Sequence, residues 1–270
     1  MGFAWFKGHG TENDFVLLPD HDGTAHPDLS AELVAALCHR RRGIGADGVI
    51  RVVRSSAAGR SSPAEWFMDY RNADGSLSQM CGNGIRVFAR HLVDQGLVEG
   101  PTFAVDTRDG VKELTVSGDR ISVDMGPWHS GGLSAVSTES GTWQAREVHT
   151  GNPHAVAFVD RVADAGLLTH EPQYDRGVYP EGVNIEFVER RGERHLAMRV
   201  HERGSGETRS CGTGACATAI AASIADRAEP GATWRVDVPG GTLHVTVEAE
   251  RTVLTGPAEI VAGGTMEWYR

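Results

Sequence analysis

Four of the 270 residues are cysteines, Cys38, Cys81, Cys211 and Cys216, and two of them share a local setting. Cys81-Gly82-Asn83-Gly84 and Cys211-Gly212-Thr213-Gly214 each read as a cysteine opening a helix, with glycines just behind it. A thiol there faces unpaired backbone N–H groups and the positive end of the helix dipole. Both effects lower its pKa from roughly 8.5 towards neutrality. The glycines let a ligand approach the backbone, whose N–H groups suit a carboxylate. Two such units facing each other would hold a carboxylate with its α-carbon between two sulfurs. One thiolate then removes the α-proton from one face while the other thiol delivers a proton to the opposite face. That is general acid–base catalysis with inversion. The helix starts would also stabilise charge flowing into the carboxylate. The cysteines include no C-x-x-C pair, so a metal site is not expected.

The elements that must position these groups are legible in part. Short β-branched or aromatic runs predict strands around residues 15–18, 49–53, 66–68, 103–105, 114–116 and 121–123. In the second half they fall around 155–159, 184–188, 196–200 and 243–247. Three helices are predicted. The first runs from Ser30, a good N-cap, to Arg42, with Arg40, Arg41 and Arg42 at its negative end and Gly43 as the stop. The second starts after Cys81 and ends near Gln95, with Ile85, Phe88, Ala89 and Leu92 on one face. The third starts after Cys211 and has small residues nearly all round, so it should be buried. Cys38 and Cys216, on the first and third helices, read as core residues.

The halves echo each other. Asn72 and Glu202 each end a strand nine residues before a cysteine, and Gly/Ser-rich turns follow both, Asp74-Gly75-Ser76 and Gly204-Ser205-Gly206. This predicts two similar domains, 1–127 and 128–270, around one cleft, with the last few residues free to return to the first domain. Net charge is −10, which argues against nucleic acid or an anionic membrane as partner. No apolar run approaches membrane-spanning length. The first residues lack the basic start and apolar stretch of a signal peptide, so a cytoplasmic location is expected. Gly43-Ile44-Gly45-Ala46-Asp47-Gly48 fits a dinucleotide fingerprint but follows a helix and precedes a strand, the reverse of the required context.

The two cysteine motifs resemble the paired catalytic motifs of diaminopimelate epimerases. The resemblance extends through His9-Gly10-Thr11-Glu12-Asn13-Asp14-Phe15, Gly43 to Gly48, Asn72 to Ser76, Gly151-Asn152-Pro153-His154, Pro180 to Asn184 and Glu202 to Thr208. It implies an α/β (α+β) fold of two similar domains, each a curled, mostly antiparallel sheet around a central helix. It implies a homodimer, a small-molecule substrate, LL-diaminopimelate, and no cofactor. Cys81 and Cys211 match the proton donor and acceptor. Gly82, Asn83, Gly212 and Thr213 match the positions holding the reacting carboxylate. Asn13, Asn72, Asn152, Asn184, Glu202 and Arg203 match other substrate contacts, and His154 a supporting histidine. The residue types suit a zwitterion: asparagine amides donate and accept, and an arginine grips a carboxylate with two bonds. Glu12 departs from the family pattern, where glycine is usual, and Gly48 stands where some members carry a substrate-contacting glutamine. A proline racemase-like enzyme or a thiol redox protein is the alternative; the redox reading leaves the four asparagines and Arg203 unexplained.

Overall fold

The structure is a computed structural model that describes residues 2–26 and 29–267. The chain runs β1 (Gly2–Gly10), β2 (Asn13–Pro19), α1 (Ala31–Cys38), β3 (Gly48–Arg54), β4 (Trp66–Asn72), α2 (Gly82–Asp94), β5 (Thr102–Thr107), β6 (Gly110–Ser117) and β7 (Arg120–Pro127). It continues with β8 (His129–Thr138), β9 (Gly141–His149), β10 (Pro153–Val159), β11 (Gln173–Tyr174), β12 (Asn184–Gly192), β13 (His195–Glu202), β14 (Gly206–Thr208) and α3 (Gly212–Asp226). Four strands close it: β15 (Ala232–Val238), β16 (Gly241–Val247), β17 (Arg251–Pro257) and β18 (Glu259–Glu267). This is the expected α+β architecture, mostly strand with few helices.

The chain divides into two compact units, Met1–Val123 with Pro257–Arg270, and Asp124–Gly256. In the first, β18 pairs antiparallel with β1 and β1 with β2; β2 then runs parallel to β3. β3–β4 is antiparallel, β4–β5 parallel, and β5–β6 and β6–β7 antiparallel. The second unit repeats this alternation through β8–β9, β9–β10, β10–β12, β12–β13, β13–β15, β15–β16 and β16–β17. The two units therefore share one topology.

Each unit wraps its strands around one helix. α2 packs on β1, β2, β3, β4, β6 and β18, and α3 on β9, β10, β12, β13, β15 and β16. The small side chains of α3 allow this: every residue from Gly214 to Ser223 is buried. α2 is less orthodox. Besides the expected Ile85, Phe88, Ala89 and Leu92 it buries Asn83, Arg86 and His91. Arg86 is fully buried, yet its guanidinium donates to Gly82 O (2.9 Å), Asn83 Oδ1 (3.0 Å) and Pro257 O (3.3 Å), so its donors are met.

The first helix departs from the sequence expectation. Ser30 caps it as foreseen, accepting from Leu33 N at 3.2 Å, but it ends at Cys38 and not at Arg42. The chain folds back at once, and Gly45 N and Ala46 N donate to the last carbonyls, Leu37 O and Cys38 O. Arg40 is drawn off to Asp14 and Asp47, so it does not sit on the helix dipole. No helix among the described residues is long and apolar enough to cross a membrane.

The β1–β2 hairpin explains how Glu12 is tolerated. Gly10 pairs with Asn13, and both turn residues, Thr11 (φ 52°) and Glu12 (φ 61°), lie in the left-handed region. Such a turn suits the twist of the strands but is costly for a residue with a Cβ. His9 helps, its Nδ1 accepting from Glu12 N at 3.4 Å. Glu12→Gly should stabilise the protein by about 0.5–1 kcal/mol, read from urea unfolding; an unchanged or lower midpoint would contradict the strain.

His91 makes stability depend on pH. Its ring is buried, lies edge-on to Phe6 at 4.7 Å, and neither nitrogen has a hydrogen-bond partner. Burial, aided by the nearby charge of His21, pushes it down to about 4. The unfolded chain, titrating near 6.5, binds this proton first. Stability is therefore lost as pH falls from about 6.5, levelling off near 4, by about 3 kcal/mol at most. His91→Leu should flatten the fall of Tm between pH 6.5 and 4; an equally steep fall would remove His91 as its source.

Candidate active site

Both motif cysteines sit at the start of a central helix, as expected. Cys81 is the N-cap of α2 (φ −141°, ψ 118°), with Sγ accepting from Gly84 N at 3.4 Å. Cys211 is the N-cap of α3 (φ −124°, ψ 116°), with Sγ accepting from Gly214 N at 3.3 Å. Each sulfur thus occupies the place a serine oxygen takes in an ordinary cap. All four cysteines are thiols. Cys38 and Cys216 are buried in their helices, and burial pushes Cys38 up to about 11, away from reactivity.

Around Cys81 the first unit gathers Asn13, Gly82 and Asn83. Asn13 Oδ1 lies 3.8 Å from Cys81 Sγ and accepts from Asn83 Nδ2 at 3.1 Å. Asn13 Nδ2 donates to Asp47 Oδ2 at 2.8 Å, which fixes the amide so that its oxygen faces the thiol. Asp47 also accepts from Asp14 N, and Arg40 links Asp14 to Asp47. Burial works against the charge of Asp14, but bonds from Arg40 and Lys7 hold its carboxyl well below the usual range. Asp47 is raised by burial and by its neighbour Asp14, against the bond from Asn13. Asp47, Arg40 and Arg86 are not among the site residues that the sequence points to. The signal for Asp47 was present, a lone acid ahead of an apolar strand, but nothing local marked its partner, 34 residues away.

Asn72 ends β4 as foreseen, but its amide donates to Ser76 Oγ at 3.0 Å and its N–H to Ser76 O at 2.9 Å, so it also braces the following turn. Gly48 stands opposite Asn72 in the β3–β4 ladder. A Cβ there would fall 2.5 Å from Arg71 O and 2.6 Å from the Tyr70 ring. A side chain there would force the Arg71 backbone or the Tyr70 ring to shift, and the glutamine that the resemblance allows at this position has no counterpart here.

In the second unit Cys211 lies with Glu202, Glu186, His154, Asn152 and Thr213. Thr213 Oγ1 is 3.4 Å from Cys211 Sγ. Glu202 ends β13 and accepts from Thr208 Oγ1. His154 is fully buried between Glu186 Oε1 (Nδ1, 2.7 Å) and Asn152 Oδ1 (Nε2, 3.0 Å). Asn184 is used on the main chain: Nδ2 donates to Pro153 O at 3.2 Å and Oδ1 accepts from Arg203 N at 3.0 Å. It ties the Asn152 and Arg203 segments together. The Arg203 guanidinium donates to Glu181 O at 3.0 Å. Glu186 was missed in the sequence because it lies inside the apolar run Ile185–Val188.

The electrostatics correct one expectation. A helix start was to lower both thiols, but Cys211 is pushed well above the ordinary range. Burial is the main cause, and the charges of Glu202 and Glu186 add to it, outweighing the bonds from Thr213 and Gly214. Glu202 is itself raised by burial, against bonds from Thr208 and Cys211. The arrangement favours Cys211 as a thiol. Alkylation of Cys211 by iodoacetamide should therefore be slow at pH 8 and still accelerating above pH 9; a plateau at or below pH 8, read by peptide mass spectrometry, would show a thiolate instead.

The family model for diaminopimelate epimerase matches residues 5–130 and 147–261. The chain is 52% identical to a diaminopimelate epimerase of Streptomyces coelicolor, over 98% of this chain and 95% of that one. It is 47% identical to one of Thermobifida fusca, over 98% and 97%. Among solved structures, a hydroxyproline epimerase from Agrobacterium vitis superposes with a TM-score of 0.72 at 16% identity, covering 98% of this chain and 92% of that one. A PhzF-family phenazine biosynthesis protein of Bacillus anthracis gives 0.74 at 15% identity, covering 99% and 100%. Those two likenesses speak to the fold. With cysteines capping both central helices, and with relatives this similar along nearly its whole length, the chain belongs to the diaminopimelate epimerase family.

Proposed function

We propose that this protein is an isomerase that interconverts LL-diaminopimelate and meso-diaminopimelate, one of Cys81 and Cys211 removing the α-proton and the other delivering a proton to the opposite face. The observation that carries the reading is the repeated cap: in each unit a cysteine sulfur closes the start of a buried helix, beside amides that can bind a carboxylate. The N–H groups of Gly82 and Asn83, and of Gly212 and Thr213, would hold the reacting carboxylate. As the proton leaves, charge moves into that carboxylate, where helix N-termini stabilise it. Asn13 and Asn152 would take the polar groups nearest the reacting centre. Asn72, Glu202 and Arg203 would recognise the remaining ammonium and carboxylate, and Asn184 would hold Arg203 in place. His154 would support the acid–base groups.

The resting state of Cys211 suits the donor role, which leaves Cys81 to take the proton; in the reverse direction the roles exchange. The reaction needs no cofactor on this reading, and its product would serve lysine and cell-wall precursor synthesis. The same reading makes the enzyme a cytoplasmic homodimer, which light scattering of the purified protein would check for the dimer.

The mechanism has an isotopic signature. In deuterated water each thiol exchanges with solvent, so one cysteine removes the substrate's own proton while the other delivers a deuteron. At early times the product should carry deuterium at the inverted centre and the recovered substrate should carry none. Cys81→Ala and Cys211→Ala should each lower epimerisation by at least about 100-fold, whereas Cys38→Ala should leave turnover close to that of the parent. Equal initial labelling of substrate and product, or an active Cys81→Ala enzyme, would sink the two-thiol reading.

A further inference from the structure

Glu186 lies in β12 with Ile185 and Phe187, members of an apolar cluster, on either side of it. It is wholly buried. One oxygen, Oε1, meets His154 Nδ1 at 2.7 Å, and the other, Oε2, has no hydrogen-bond partner. A Cβ added to Gly214 would fall 2.7 Å from Oε1, so the carboxylate lies against the first turn of α3. That same turn carries the Gly214 N–H that holds Cys211 Sγ. A buried carboxylate with an unmet oxygen is expensive, and an apolar residue of similar size would be cheaper to fold. A group kept at such a cost beside two proton-handling side chains calls for a role in handling protons.

We propose that Glu186 is a positioning residue for the epimerisation: it holds His154 by Nδ1, leaving Nε2 to face Asn152, and it sets a negative charge against the first turn of α3 beside Cys211. The inference rests on the acid–base reading given above. An ionised carboxylate only accepts hydrogen bonds, so Nδ1 must carry the ring proton. Nε2 is then the nitrogen that exchanges a proton, and it faces the Asn152 side-chain amide 3.0 Å away: a protonated ring donates to Oδ1, and a neutral one accepts from the amide NH2 once the amide has turned over. This is the division of labour that a carboxylate imposes on a catalytic imidazole, where the wrong tautomer is idle.

The charge acts on the thiol as well. Cys211 is faced by Glu202 from the end of β13, by Glu186 from β12, and by Thr213 and the Gly214 N–H from α3. Glu186 is faced in turn by His154 from β10, by Glu202, by Cys211, and by Tyr179 from the loop before β12. Burial and the two carboxylates keep the proton on sulfur, and the two hydrogen bonds from α3 oppose them. Removing the charge of Glu186 should therefore make Cys211 a stronger acid, while an amide in its place, able to turn either its oxygen or its NH2 towards Nδ1, should no longer fix the ring tautomer.

Glu186→Gln and Glu186→Asp test both parts. In Glu186→Gln, kcat should fall by about 100-fold, the order that a misplaced acid–base group costs, with KM nearly unchanged. Its pH–rate profile should move, and the Cys211 alkylation profile should shift to lower pH. Glu186→Asp, which keeps the charge, should keep the parent alkylation profile and recover part of kcat. In the unmodified protein, 15N spectra of labelled histidine should show the His154 ring proton on Nδ1, a result that needs no variant to fold. A Glu186→Gln enzyme with parent pH–rate and alkylation profiles, or a neutral ring with its proton on Nε2 alone, would overturn the proposal. Cys211→Ala separates the two readings: if it stays active, the acid–base reading fails, whatever Glu186 does.

Discussion

The rest of this structure depends on how a buried helix start is satisfied. Each unit curls its strands around one helix, so the first N–H groups of that helix cannot rely on bulk water and need acceptors from the protein. Cysteine supplies one through sulfur, 3.4 Å from Gly84 N and 3.3 Å from Gly214 N. Sulfur is a weak acceptor, and a serine, threonine or aspartate would cap more strongly. On the acid–base reading proposed above the weaker cap makes sense, since the capping atom would also trade protons. The glycines behind each cysteine complete the arrangement, since helix-start amides without side chains over them stay open to a small anion.

The two caps share geometry but differ in surroundings. Cys81 faces a neutral amide oxygen, that of Asn13, set by a chain of charges through Asp47 and Arg40. Cys211 sits in deeper burial against carboxylates. On the acid–base reading the reaction needs one acid and one base, and Cys211, held as a thiol by burial and carboxylates, suits the acid. The neighbours of the two caps differ while the cap backbones stay alike. The burial of Cys211 also overrides the helix dipole, whose effect is worth typically 0.3–1 kcal/mol at exposed sites.

Much of this was legible in the sequence, and the exceptions share causes. The helices after Cys81 and Cys211 were readable because a capping residue, glycines and a long apolar or small-residue run agree. Strands such as Val49–Val53 and Ile185–Val188 were readable as apolar runs. β1, β8, β9, β11, β14, β15, β17 and β18 were not. β8 and β18 are largely exposed and hold glycines, so no alternation marks them; they exist because a neighbouring strand offers a ladder. The end of α1 was misread because Arg40 is claimed by Asp14 and Asp47, a long-range ion pair that outweighs a local dipole preference. Glu186 and Asp47 were hidden for the same reason: a polar residue's partner lies on another strand, and only the fold brings them together.

The shared topology accounts for where the polar groups fall. β2, β3 and β4 correspond to β10, β12 and β13, so the same strand ends recur in both units. Asn13 opens β2, while Asn152 and His154 stand at the opening of β10. Gly48 opens β3 and Asn184 opens β12; Asn72 closes β4 and Glu202 closes β13. In each unit a parallel pair and an antiparallel pair bring these ends to one edge, and the next helix begins nine residues beyond the last of them, at its cysteine. A strand end is a good place for such groups, since its side chain leaves the ladder while its backbone stays held. The frame therefore fixes the positions, and the residue chosen at each one sets the local chemistry: a glycine where Tyr70 leaves no room, an amide where Arg203 must be held, a carboxylate where a thiol must keep its proton.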